Sequence, residues 1–120
     1  IALRRGEDKL AVFDHDFSQL TSITETREVG GVGMATTLIK VPVLEAMFKK
    51  WSTPFDFEVR KEERDGDEVF IEYSEDANFC RRARTLGFRV WCATDTASLH
   101  IGFPMGYTYR DGKIEKELLQ

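Results

Sequence analysis

No apolar run approaches the roughly 18 residues that a membrane-crossing helix needs, so the sequence holds no candidate span of that kind. A secretion-signal pattern is also missing from its first residues. Basic residues do not dominate. The 17 Lys and Arg stand against 21 Asp and Glu, a formal net charge of −4, which argues against general attraction to nucleic-acid phosphates. Aromatic and basic residues do not interleave in the manner of base-stacking surfaces. Cysteine is scarce: Cys80 and Cys92 stand alone, without the Cys-x-x-Cys spacing of metal sites. Both lie in apolar contexts, so two reduced, buried thiols are expected, a state that fits the cytoplasm, with a disulfide as the alternative. There is no internal repeat, no low-complexity segment and no Ser-His-Asp arrangement with recognisable local context.

What is present is enough to fold. The 120 residues are 42% apolar and 12% aromatic, which suits one domain with one core. The reading is α/β: a small mixed sheet with two main helices, 42–51 and 75–86, packed on it. Strands are expected from 9–13, 32–40, 69–73, 88–92 and 97–101.

The most informative stretch runs from Tyr73 to Trp91. Ser74 is a good N-cap, because its oxygen can accept a hydrogen bond from a backbone N–H of the first turn. Glu75 and Asp76 follow, where the helix dipole favours negative charge. Phe79, Cys80, Ala83 and Leu86 recur at helical spacing on one face, with Arg81, Arg82 and Arg84 largely off it. Gly87 suits the left-handed residue that ends a helix, and Phe88 to Trp91 are strand formers. By itself, the carboxylate pair does no more than complement the helix start.

Elsewhere the signals are weaker. Asp14-His15-Asp16 follows an apolar strand and reads either as a polar turn or as a pair of hard oxygen ligands for a divalent metal. Gly30, Gly31 and Gly33 allow close backbone approach, to another strand or to a ligand, yet match neither a P-loop nor a dinucleotide fingerprint. Pro42 suits the first turn of a helix whose apolar stripe is Val43, Leu44, Met47, Phe48 and Trp51. Residues 56–68 are dense in charge and hold Asp65-Gly66, which gives a solvated loop or a β-hairpin. Asp111-Gly112, within an alternating tail, is a strong hairpin signal. Ser18 to Glu28 reads as a hairpin or an extended connection.

From Gly30 to Gly102 the order of landmarks resembles the second half of a GT-A fold glycosyltransferase of the family 2 type. The matching pieces are Gly31-Val32-Gly33-Met34, the helix from Pro42 to Trp51, Ser74-Glu75-Asp76, Leu86-Gly87-Phe88-Arg89-Val90-Trp91 and Leu99-His100-Ile101-Gly102. The resemblance implies that Asp76 takes the proton from an acceptor hydroxyl and that Glu75 orients the loop or the acceptor. It further implies that Gly31 and Gly33, with Met34 and Trp51, bind substrate. His100 would join a divalent ion, manganese or magnesium, bound to the diphosphate of a nucleotide-sugar donor. The nucleotide-binding half that should precede these landmarks is absent from the sequence, and the chain begins at Ile1 rather than methionine. The expectation is therefore an acceptor-side, C-terminal portion of such an enzyme, inactive alone, with exposed sheet edges that favour a homodimer. Two other readings stand beside it: a binding module that kept the fold without the chemistry, and a metal-dependent hydrolase using Asp14, Asp16, Asp76 and His100.

Overall fold

A computed structural model of the protein describes residues 10–95, 100–102 and 104–119, with 100–102 described by their backbone. In chain order the elements are β1 (Val12–Phe13), β2 (Arg27–Val29), β3 (Gly31–Val32), α1 (Val41–Lys50), β4 (Glu58–Arg64), β5 (Asp67–Tyr73), α2 (Glu75–Thr85), β6 (Val90–Cys92), β7 (His100–Gly102), β8 (Met105–Arg110) and β9 (Lys113–Leu118). The chain divides into two compact units. The first joins Ile1–Leu38 to Arg89–Gln120, and the second is Ile39–Phe88. Helices and strands are thus mixed, as expected. The described strands, however, pair only antiparallel and in several small sheets, rather than in one mixed sheet.

In the first unit β1 pairs with β3, β2 pairs with β6, and β7, β8 and β9 form a three-stranded sheet. Most of these strands are too short for backbone ladders to hold them, so apolar burial must do so. The core is Leu10, Val12, Ile23, Val29, Cys92 and Tyr109, with Leu20, Val32, Val90, Tyr107 and Ile114 packed against it. The hydroxyl of the buried Tyr109 replaces a missing strand partner: it donates to Ile23 O at 2.6 Å and accepts from Ile23 N at 2.8 Å. The Asp111-Gly112 hairpin forms as its sequence predicts, with φ of 51° and 77° at the two turn residues.

The long strand expected over 32–40 is reduced to Gly31–Val32. Gly33 N–H reaches Ala11 O at 2.7 Å, residues 34–40 form no described strand, and Leu38 is fully exposed. Of the expected strand 97–101, residues 97–99 lie outside the described residues, as does Lys9 of 9–13.

In the second unit, α1 starts after the extended Lys40, with Pro42 in its first turn and Lys49 and Lys50 in its last. Met47 is buried, but Phe48 of the expected apolar stripe is 57% exposed. Residues 58–73 resolve the loop-or-hairpin alternative: β4 and β5 form a regular hairpin around Asp65 (φ 52°) and Gly66 (φ 80°). Two positive φ angles are what a two-residue turn of matching twist demands, and Asp-Gly supplies them cheaply. The helix α2 then ends at Gly87 (φ 88°), as predicted, with Phe88 N–H returning to Ala83 O at 3.2 Å.

Candidate functional site

The start of α2 is built from the sequence outward. Ser74 is extended (ψ 165°), and its Oγ accepts from Ala77 N at 3.5 Å, while its carbonyl accepts from Asn78 N at 2.8 Å. Glu75 and Asp76 therefore fall in the first turn, and both are half-buried. Exposed N–H groups and the helix dipole favour a carboxylate there.

What fixes this helix end is a polar network on its flank. Asn78 is fully buried. Its Nδ2 donates to Asp56 O at 2.9 Å, and its Oδ1 accepts from Arg81 Nε at 3.1 Å and Nη2 at 2.6 Å. Arg81 Nη2 also reaches Glu58 Oε2 at 2.5 Å, which ties α2 to the first residue of β4. The next residue, Arg82, donates from Nη1 to Thr53 O at 3.0 Å and to Pro54 O at 3.3 Å, and its guanidinium lies 5.1 Å from the Trp51 ring centre. Its Nε is buried without a hydrogen-bond partner. Phe55 stacks on Phe79 with ring centres 4.2 Å apart. Burial favours the geometry that pairs polar groups, so the bonds among Asn78, Arg81, Asp56 and Glu58 hold the first two turns of α2 in place. A group in a fixed place is what general base catalysis needs.

Sequence reasoning missed Asn78 and read Arg81 and Arg82 as residues off the packed face. Their spacing within the helix permits an Asn-Arg pair at i, i+3. Their burial depends on Asp56, Glu58 and the 51–54 turn, which no local pattern announces. Tyr73 is a similar case. Its hydroxyl donates to Glu62 Oε1 at 2.7 Å. That bond holds the Glu62 carboxyl below its ordinary value, while burial pushes the Tyr73 phenol up.

Glu75, Asp76 and Trp51 belong to the second unit; Gly31, Gly33, Met34 and His100 belong to the first. Trp51 and α2 are brought together through Arg82. Gly31 is a strand residue paired with Phe13, Gly33 donates to Ala11 O, and Met34 is half-buried. A steric requirement falls on Gly30, a residue outside the expected site set. It is buried, its N–H donates to Phe13 O at 2.8 Å, and a Cβ there would stand 2.0 Å from Asp14 O. Gly30 thus lets two backbones meet. His100 opens β7 by pairing with Tyr107, and its imidazole lies outside the described part of the structure.

Asp14-His15-Asp16 is a turn. Phe17 N–H reaches back to Asp14 O at 2.8 Å, with Phe17 at φ 62°. Asp16 Oδ1 accepts from Ser18 N at 2.9 Å and Oγ at 2.5 Å. Asp14 Oδ1 accepts from His15 N at 2.8 Å, a backbone bond that is the main reason its carboxyl is held below the usual range. Among the described residues no group of three or more His, Cys, Asp or Glu side chains is placed to hold a metal ion. The resemblance implies His100 alone as a protein ligand of the divalent ion, and that imidazole lies outside the described part of the structure. Cys80 and Cys92 are both buried and not joined in a disulfide, and burial pushes the Cys92 thiol up. No described helix is long and apolar enough to cross a membrane. Compared with family models, with curated proteins and with solved structures, the chain matches none.

Proposed function

We propose that the chain is the acceptor-side part of a nucleotide-sugar-dependent glycosyltransferase of GT-A fold, similar to family 2, with Asp76 as the base that deprotonates the acceptor hydroxyl. The observation that carries this reading is the seat of Asp76. It stands in the first turn of a serine-capped helix, half-buried, above a flank locked by Asn78, Arg81 and Glu58. An alcohol attacks an anomeric carbon poorly unless a base in a set position takes its proton as the new bond forms. The capped first turn keeps Asp76 in that position, and Glu75 beside it orients the acceptor. In this reading Trp51 contacts substrate in the second unit, and Gly31, Gly33 and Met34 do so in the first. His100 serves the donor side, with the manganese or magnesium ion that accompanies the diphosphate.

The test is sugar transfer by the enzyme complete with its nucleotide-binding half, with nucleotide release as the readout. Asp76→Asn keeps the Ser74 cap and the buried flank and gives up only the favourable charge at the helix start, so the melting temperature should fall only slightly while the rate falls between about a hundredfold and ten-thousandfold. An unchanged rate would remove Asp76 from the proposed role.

A further inference from the structure

The β4–β5 hairpin is a two-stranded sheet, and among the described residues nothing pairs with the outer edge of β4. Arg64 and Asp67 flank a two-residue turn and so exchange hydrogen bonds. Bonding alternates along an antiparallel pair, so residues 62, 60 and 58 also direct their N–H and C=O toward β5. Val59, Lys61 and Glu63 direct theirs outward, and all three residues are exposed. An edge of this kind recruits another strand.

We infer that this edge pairs with the same edge of a second copy, antiparallel, about a two-fold axis at Lys61. The register follows from charge. The side chains of Glu58, Arg60, Glu62 and Arg64 lie on one face and alternate in sign along the strand. Centred on Lys61, the pairing sets Glu58 against Arg64 and Arg60 against Glu62 of the second copy, and the same again by symmetry. That makes four opposite-charge pairs. The one like pair, Lys61 with its copy, lies on the axis, where each ammonium already has Glu68 of its own hairpin as partner.

Neighbouring registers are worse. A shift by one position sets outward groups against inward ones. Centring on Arg60 opposes Arg60 to its copy and Glu58 to Glu62. Centring on Glu62 gains two Lys61–Glu63 pairs, but it opposes Glu62 to its copy and Arg60 to Arg64 twice. The β5 edge offers nothing comparable, because centring on Phe70 sets Glu68 against Glu72. Like charges directly opposite are destabilising and unlike ones favourable, so the β4 edge favours itself most in the register centred on Lys61, which makes the most unlike pairs. The inference is independent of sugar transfer. A seven-residue strand makes a small interface, so the dimer belongs to the weak class.

Sedimentation equilibrium tests this, from tens of micromolar to about 1 mM protein, the range in which such an association is visible. The wild type should dimerise, and less so in about 1 M salt, where screening acts over only about 3 Å. Arg60→Glu and Glu62→Arg each create like pairs and should weaken the dimer by at least about tenfold. The double variant R60E/E62R makes the pairs unlike again and should restore it. Lys61→Pro removes one outward N–H, leaves the inward ladder intact and should abolish association with the hairpin retained. A wild type that stays monomeric throughout would overturn the inference. So would single variants that dimerise normally, or a double variant as weak as either single one.

Discussion

The two units solve the problem of order by different means. The first gathers apolar side chains from remote parts of the sequence, Leu10, Val12 and Ile23 with Cys92 and Tyr109, around strands mostly of two or three residues. The second has a hairpin with seven-residue strands and two helices, all from consecutive chain. Its α2 buries an asparagine, and two arginines fix its flank. In the first unit, hydrophobic burial supplies stability and one tyrosine hydroxyl supplies direction. In the second, local hydrogen-bonded structure comes with the segment, and the polar network selects its geometry. The lesson is that polar specificity sits beside the proposed base, where position matters most.

Each unit carries its own tryptophan, Trp91 in the first and Trp51 in the second, so single-tryptophan variants can report on them separately. The largest effect is expected at Gly30. Gly30→Ala drives a methyl into the Asp14 carbonyl, and the cost should reach about 3 kcal/mol, read as a lower urea midpoint at Trp91. An equal fall at Trp51 would make the two units a single cooperative body. Next comes Asn78→Ala, which strips Arg81 of its amide partner and Asp56 O of its donor. About 2–3 kcal/mol should be lost in the Trp51 signal, and a negligible loss would show that the network is ornamental to stability.

The smallest effect concerns pH. The hydroxyl of Tyr73 lowers the Glu62 pKa, so the stabilisation is complete above the ordinary carboxylate value and is lost as pH falls through the lowered one. Tyr73→Phe should flatten that acid-side decline in the second unit, measured as urea midpoints across the carboxylate range. Glu62 is half-buried and still reaches solvent, which screens the interaction, so the change should be slight.

Local chemistry was legible in the sequence. Ser74 and Gly87 bracket α2, Pro42 marks α1, and both Asp-Gly pairs mark hairpin turns. These signals work because each residue satisfies a requirement of its own backbone. Pairing was not legible. The run 32–40 has strand formers, but a strand also needs a paired neighbouring strand, and residues 34–40 form no described strand. The buried state of Asn78 and the clamp between Tyr109 and Ile23 depend on partners 22 and 86 positions away, which periodicity does not encode. Glu75 and Asp76 were placed on the correct turn by the cap, while the network behind them was invisible.

The order of the chain has a kinetic consequence. The second unit interrupts the first in sequence, and its hairpin closes over two residues, whereas joining Arg27 to Cys92 brings together positions 65 apart. Chain closure costs more entropy as the loop lengthens, and contacts between distant positions form slowly. The inserted segment is thus the natural place for folding to begin, with the flanking halves meeting afterwards. A late-closing unit keeps Ile23 and Tyr109 exposed for longest, so crowding during synthesis threatens that half of the molecule first.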